Sequence, residues 1–267
     1  MNVVVVGHVC IDRNISENRS YTAPGGPAVF IGNVFKQLPN IYLEVIVPGK
    51  DLKKKETLIY ENRSKGDRRS QKTFNLKYAK PVSITNKLKG IVANSDLIFF
   101  APLTPDYRPD YIASLLGKTK KDAVKIISPQ GYFRDFDKNN NVVQRDFIEA
   151  DEILPLFDVV IASVEDHKNI KHMAKVWSKK IKVIVTLGDK GSQYFYRGRS
   201  IFAKSNPVQK EEIVDSVGSG DIFTAAFGYK YFLKRDLKES LRFANDVARQ
   251  CLFFDGDHAD FYFGPKR

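Results

Sequence analysis

The run Asn2-Val3-Val4-Val5-Val6-Gly7 decides the fold class. Four consecutive β-branched residues show no alternation of polar and apolar positions. The strand they form is therefore buried on both faces, as strands of a parallel sheet are. Similar runs recur at residues 43–47, 96–100, 124–127, 157–161 and 182–187. Between several of them, residues 27–38, 109–116, 165–179 and 220–233 repeat apolar side chains at spacings of three and four, which predicts helices with one buried face. Strands alternating with helices predict an α/β fold in three layers, a mostly parallel central sheet flanked by helices. Residues 10–23 and 57–78 instead alternate polar and apolar and are rich in charge. They predict half-exposed antiparallel strands that form a small lid, within about 10–24 and 57–80. The turn Asn139-Asn140-Asn141 is expected to join short strands at 132–136 and 142–146.

The 267 residues are expected to form one domain, 1–267, large enough to bury a core without disulfides or metal staples. The two cysteines, Cys10 and Cys251, lie at opposite ends and form no CxxC pair; they read as small buried apolar residues of a reducing compartment. No basic leader and no apolar stretch of membrane-spanning length occurs, so a cytoplasmic protein without a membrane partner is expected. With 43 Lys and Arg against 31 Asp and Glu, the formal charge is +12. The basic clusters Lys53-Lys54-Lys55, Arg68-Arg69 and 118–121 are short, scattered and mixed with acids. They read as solvated faces, and no nucleic-acid partner is expected.

The chemistry is concentrated in Asp215-Ser216-Val217-Gly218-Ser219-Gly220-Asp221, which runs into the helical segment from 220. Two glycines around a small residue let the backbone turn sharply and aim several N–H groups at one point. The partial positive charge of a helix start adds to them, and together they suit a phosphate. Asp221, at the mouth of that turn, has two uses open to it: capping the helix, the commoner one, or acting as general base toward an attacking hydroxyl. No Gly-Lys-Ser/Thr follows, so this is no Walker loop, and Gly7-His8-Val9-Cys10 lacks the dinucleotide-binding glycine pattern.

Four segments in order resemble the ribokinase/PfkB family of carbohydrate and nucleoside kinases. They are Val3 to Asp12, then Pro24-Gly25-Gly26-Pro27, then Val185-Thr186-Leu187-Gly188-Asp189-Lys190-Gly191, and the 215–221 signature. The resemblance spans nearly the whole chain. It implies a ribokinase-like fold, ATP as donor with Mg2+, and transfer to a hydroxyl of a small substrate. It implies that Asp221 is the base and that the backbone N–H groups of Gly218, Ser219 and Gly220 cradle the transferring phosphoryl group. Asp12, Gly25 and Gly26 would hold substrate hydroxyls; Thr186, Gly188, Gly191 and Asn245 would border the nucleotide. Asp166, Glu165 and Asp215 would serve the metal, with Ser163 and Asp166 standing where the family carries Asn and Glu.

Within the family, Glu56 to Asn62 with Arg68, Arg69 and Gln71, then Ser128-Pro129-Gln130-Gly131-Tyr132-Phe133-Arg134, and Ala162 to Asp166 are similar to the short myo-inositol-kinase-like branch. A sugar or polyol substrate, myo-inositol first, is implied, with a nucleoside as the alternative. A catalytically impaired family member that only binds ligand is a further alternative. Glu61, Asn62, Arg68 and Gln71 are expected to face the cleft from the lid, and Gln130 and Arg134 to reach it from a strand's C-terminal end. A monomer or homodimer is expected. His8, His167, His172 and His258 show no ligand spacing; His8 reads as a satisfied core residue, and Asp255-Gly256-Asp257-His258-Ala259-Asp260 lacks a full calcium-ligand series.

Overall fold

The valine run forms β1 (Asn2–Gly7), which lies inside the main sheet with β4 (Tyr42–Ile46) on one side and β7 (Leu97–Ala101) on the other, parallel to both. In the computed structural model the described residues are 1–17, 19–49, 56–65, 68–254 and 259–263, with backbone alone at 65, 68 and 69. The basic run 53–55, the side chains of Arg68 and Arg69, and residues 255–258 of the metal-like segment fall outside them. From β7 the sheet continues in parallel through β8 (Val124–Ile127), β11 (Val159–Ser163) and β12 (Lys182–Thr186). It ends in the antiparallel pair β13 (Gly191–Tyr196) and β14 (Arg199–Lys204).

Alternate valines of β1 serve opposite layers. Val3 and Val5 join the core built with α1 (Pro27–Lys36), α6 (Ser219–Lys234) and α7 (Leu237–Cys251). Val4 and Val6 join the core on the other face, with α2 (Asn86–Ala93), α3 (Pro109–Leu116), α4 (Ala150–Ile153) and α5 (Ile170–Trp177). The three-layer expectation is met. Local signals start the helices: Pro27 and Pro109 occupy first-turn positions, Thr85 accepts the Leu88 N–H, and Asp236 accepts the Glu239 N–H at 2.9 Å.

The helix expected over 165–179 begins only at Ile170. Side chains take the backbone donors of the turn before it: Asp166 accepts the Ser163 N–H at 2.7 Å and His167 Nδ1 accepts the Asn169 N–H at 3.1 Å. Tyr132 and Phe133, expected in a strand, lie in a short 3-10 turn, Pro129–Phe133. Only β9 (Arg134–Phe136) and its partner β10 (Val142–Gln144) are extended.

The lid is a second sheet, in the order β3 (Ser20–Gly25), β2 (Cys10–Ile15), β5 (Leu58–Lys65), β6 (Arg68–Phe74). Its outer pairs are antiparallel as expected, but β2 and β5 run parallel. The long connection between them, through β3, α1 and β4, returns β5 in the same direction. A small core of Cys10, Leu58, Tyr60, Ala79 and Leu103 joins lid to main sheet. His8 anchors the same seam: it is fully buried, with Nε2 on the Ala79 carbonyl at 2.8 Å and Nδ1 accepting the Leu103 N–H at 3.0 Å. That is the satisfied core histidine expected. Among the described residues no helix is long and apolar enough to cross a membrane.

Candidate active site

A cavity of about 460 Å³ opens where the parallel strands end, between the lid and the start of α6. Ser128 and Gln130 after β8, 161–163 of β11 and Thr186 of β12 form its floor, and Asp12, Tyr60, Asn62 and Gln71 line it from the lid. Gly218 to Asp221 and one face of α7 (Asn245, Ala248, Arg249), with Leu252 just past its end, close the other side. The C-terminal ends of parallel strands are where α/β sheets place ligands.

The turn into α6 is built by Asp215. Its Oδ1 accepts the Val217 N–H at 3.0 Å, and its Oδ2 accepts the Tyr21 hydroxyl of β3 at 2.5 Å. Gly218 then caps the helix at φ +80°, a left-handed conformation that L side chains resist. A Cβ there would also sit 2.4 Å from Phe30 Cδ1. The Ser219 N–H turns back to the Ser216 carbonyl at 3.3 Å, and the first intrahelical bond runs from the Ile222 N–H to the Gly218 carbonyl at 2.9 Å. The N–H groups of Gly218, Gly220 and Asp221 find no acceptor among the described residues. The amide set is therefore Gly218, Gly220 and Asp221, with Ser219 partly engaged, a shift of one residue from the expected trio.

Asp221 caps nothing. It stands third in the helix, makes no side-chain cap, and forms no hydrogen bond or ion pair among the described residues. The capping use is thereby removed. Burial, then the neighbouring charge of Asp166 and to a lesser degree that of Asp12, push its carboxyl up to about 7, against the pull of Arg134. Asp166 is likewise raised by burial, although the Ser163 N–H, Arg134 and Gln130 Nε2 (3.4 Å) favour its charged form.

Asp12 is buried on β2, with the Cys10 thiol and Asn62 Nδ2 each 3.5 Å from its Oδ1. Gly26 lines the cavity and Gly25 does not. A Cβ at Gly25 would lie 1.9 Å from Asp12 Oδ2, so Gly25 makes room for that carboxylate. Asn62 accepts from Gln71 Nε2 at 2.7 Å and donates to Asn14 Oδ1 at 2.9 Å, a polar network crossing three lid strands. Glu61, expected on this face, points away and pairs with Arg63 at 2.8 Å, as strand alternation requires once Tyr60 and Asn62 face in. Arg134 lines the cavity with its guanidinium 5.0 Å from the Tyr60 ring centre.

Thr186, Gly188 and Gly191, expected to border a nucleotide, line the cavity. Asn245 is buried there, and its Nδ2 is engaged by the Ala203 carbonyl at 2.9 Å. Of the expected metal residues, Glu165 and Asp166 line the cavity, but Asp215 does not; it is committed to the loop and Tyr21. Among the described residues no three acidic, His or Cys side chains converge as direct ligands. The donor set still fits hydrated magnesium. Glu165, Asp166 and Asp221 offer hard oxygens around one cavity, with two carboxyls raised by burial and crowding. The sequence reading missed Tyr21, Tyr60 and Arg249. Arg249 lies one turn beyond Asn245 on the same face, a spacing that would have exposed it.

Comparison with known proteins agrees with this architecture. A cytidine kinase from Thermococcus kodakarensis is 24% identical over 290 aligned positions, covering 96% of this chain and 98% of the relative. A pyrophosphate-dependent kinase of the ribokinase family, solved with a pyrophosphate analog and myo-inositol, superposes with TM-score 0.71 at 16% identity, covering 95% and 96% of the two chains. Ribokinase of Arabidopsis thaliana, solved with ribose and ATP, gives TM-score 0.71 at 19% identity, covering 95% and 93%. These structures share the ribokinase-like fold. Residues 53–257 match the pfkB family carbohydrate kinase description, more than half of the chain, and span the floor strands, the 215–221 loop and α7. On that match the chain belongs to the pfkB family of carbohydrate kinases.

Proposed function

We propose that this kinase transfers the terminal phosphoryl group of ATP to a hydroxyl of a small sugar or polyol, with myo-inositol first among acceptors. The observation that carries the reading is the opposition, across one cavity, of the unpaired Gly218, Gly220 and Asp221 amides to a polar lid wall of Asp12, Asn62 and Gln71. A ring that carries hydroxyls on every side suits a wall of carboxylate and amide groups. Gln130 and Arg134 reach the same space from the floor.

Asp221 takes the proton of the acceptor hydroxyl. Its raised pKa places it near neutrality, where a base is effective yet still ionised in a useful fraction. The amides stabilise charge on the phosphoryl oxygens as the group passes, and being fixed by Gly218 and Asp215 they need no rearrangement at that moment. Asp166 and Glu165 would hold magnesium through water, and when bound the ion neutralises the phosphate charge. Thr186, Gly188 and Gly191 border the nucleotide. The protein acts in the cytoplasm as one domain, monomer or homodimer.

A nucleoside acceptor is the second reading, favoured by the full-length similarity to cytidine kinase and by the aromatic lining of Phe30 and Tyr60. One assay separates them: ADP release with MgATP over a panel of myo-inositol, ribose, cytidine and adenosine. Turnover fastest on myo-inositol supports the first reading, and fastest on a nucleoside the second. No ADP with any acceptor refutes both.

A further inference from the structure

The cavity holds two arginines in different circumstances. Arg134 stands among the acids: its charge acts on Asp166 and Asp221, and its guanidinium lies on Tyr60. Arg249 lines the cavity from α7, one turn after Asn245, and is not among the charges that chiefly shift either carboxyl. Its Nε is shut off from solvent without a hydrogen-bond partner, and no carboxylate or carbonyl among the described residues takes its guanidinium. Its guanidinium carbon lies 5.5 Å from the centre of the Phe253 ring. A buried donor without an acceptor, on a cation without a counter-charge, is costly to keep unless a ligand completes it.

The position says which part of a ligand arrives there. α7 ends against the phosphate loop: the Val214 N–H donates to the Leu252 carbonyl at 2.8 Å, and that of Asp215 to the same carbonyl at 3.4 Å. Arg249 is one turn before Leu252, so its side chain borders the space behind the amides of Gly218 and Gly220, on the side away from Asp12 and the lid. We propose that Arg249 is the anion-binding residue of the donor half, taking a phosphate oxygen of the leaving part of the phosphoryl donor. A nucleoside diphosphate and the second phosphate of inorganic pyrophosphate offer the same oxygens. The assignment rests on the kinase reading and adds to it the residue that grips the donor.

The test is calorimetric binding to the whole chain, with magnesium and without acceptor, of ATP, inorganic pyrophosphate and adenosine. The wild type is compared with Arg249→Gln and Arg249→Lys. Arg249→Gln should weaken ATP by about tenfold or more, as loss of a charge-assisted contact does, and Arg249→Lys by less. Adenosine should bind both variants as it binds the wild type. Equal weakening of pyrophosphate places the contact on the shared diphosphate; weakening of ATP with no wild-type binding of pyrophosphate places it on a nucleoside diphosphate. Unchanged ATP affinity in Arg249→Gln, or adenosine weakened as much as ATP, overturns the assignment while leaving the kinase reading intact. If the wild type binds neither donor, the kinase reading falls and this assignment with it. The melting temperature of ligand-free Arg249→Gln, expected at or above that of the wild type, separates lost contact from lost fold.

Discussion

Replacing Gly220 by alanine should make the protein more stable and nearly inactive. An added methyl at Gly220 meets no protein atom within 4 Å, and the residue has no left-handed backbone to forbid it. Gly220 is the second residue of α6, where alanine gains about 0.5–1 kcal/mol over glycine through lower unfolded-state freedom. At about 2 °C per kcal/mol for a chain of this size, the melting temperature should rise by about 1–2 °C. Gly220 lines the cavity, however, so the methyl is expected to stand in it. A methyl between the amides and the phosphoryl group displaces at least one donor, which costs about 2.7–4 kcal/mol of transition-state stabilisation, or about 10²–10³ in kcat/KM. Gly218→Ala is the control. There φ is +80° and the Cβ would meet Phe30 at 2.4 Å, so strain and overpacking together should cost about 2–5 kcal/mol of stability. Thermal melts and an ADP-release assay on both variants decide the matter. Wild-type kcat/KM in a stabilised Gly220→Ala protein would refute the placement of the phosphoryl group against these amides.

Burial holds His8 at about 4, below 6.5 in the unfolded chain, so the unfolded state takes the proton first as pH falls. The stability tied to His8 is complete above about pH 6.5 and is lost toward pH 4, about 3 kcal/mol in all. Urea midpoints across that range should fall more steeply for the wild type than for His8→Gln; parallel curves would contradict this. Tyr21→Phe removes the hydroxyl that fixes Asp215 and the phosphate loop to the lid. It should lower kcat by about tenfold with acceptor KM little changed, and a loss confined to KM would show that the contact does not position the loop. For Asp221 the folded pKa is raised, so its contribution to stability is full below about pH 4 and is lost as pH rises through about 7. Asp221→Asn should melt several degrees above the wild type at pH 8 and level with it at pH 4, and a lower melting temperature at pH 8 would contradict the buried charge.

The parallel core was legible because Val3 to Val6 admit one environment only, burial on both faces. The lid was legible as strands but not in their directions, since the β2–β5 pairing is set by the long connection and not by either strand's own pattern. The start of α5 was hidden by Asp166 and His167, whose side chains replace helical hydrogen bonds without disturbing the apolar spacing. The β13–β14 hairpin carries only half of the usual turn signal, Gly198 at φ 77° in second place, with Arg197 at φ 48° where Asn is the usual first residue. In the site, Asp12, Gln130 with Arg134, Thr186 and Asp221 converge on one cavity from four separate segments. Asp215 shows the limit of that transfer: its place in the signature says nothing of Tyr21, which comes from the lid almost two hundred residues earlier and claims its carboxylate. Arg249 belongs to no motif; its spacing from Asn245 places it on the same helix face, and its unpaired nitrogen singles it out there.

The most direct measurement is MgATP turnover by Asp221→Asn on the best acceptor of the panel, with ATP binding measured in parallel. If a lone carboxylate facing fixed amides does the chemistry, turnover falls by about 10²–10⁴ while ATP binds as in the wild type. Wild-type turnover in the variant would show that the proton leaves by another route and that the site has been misread.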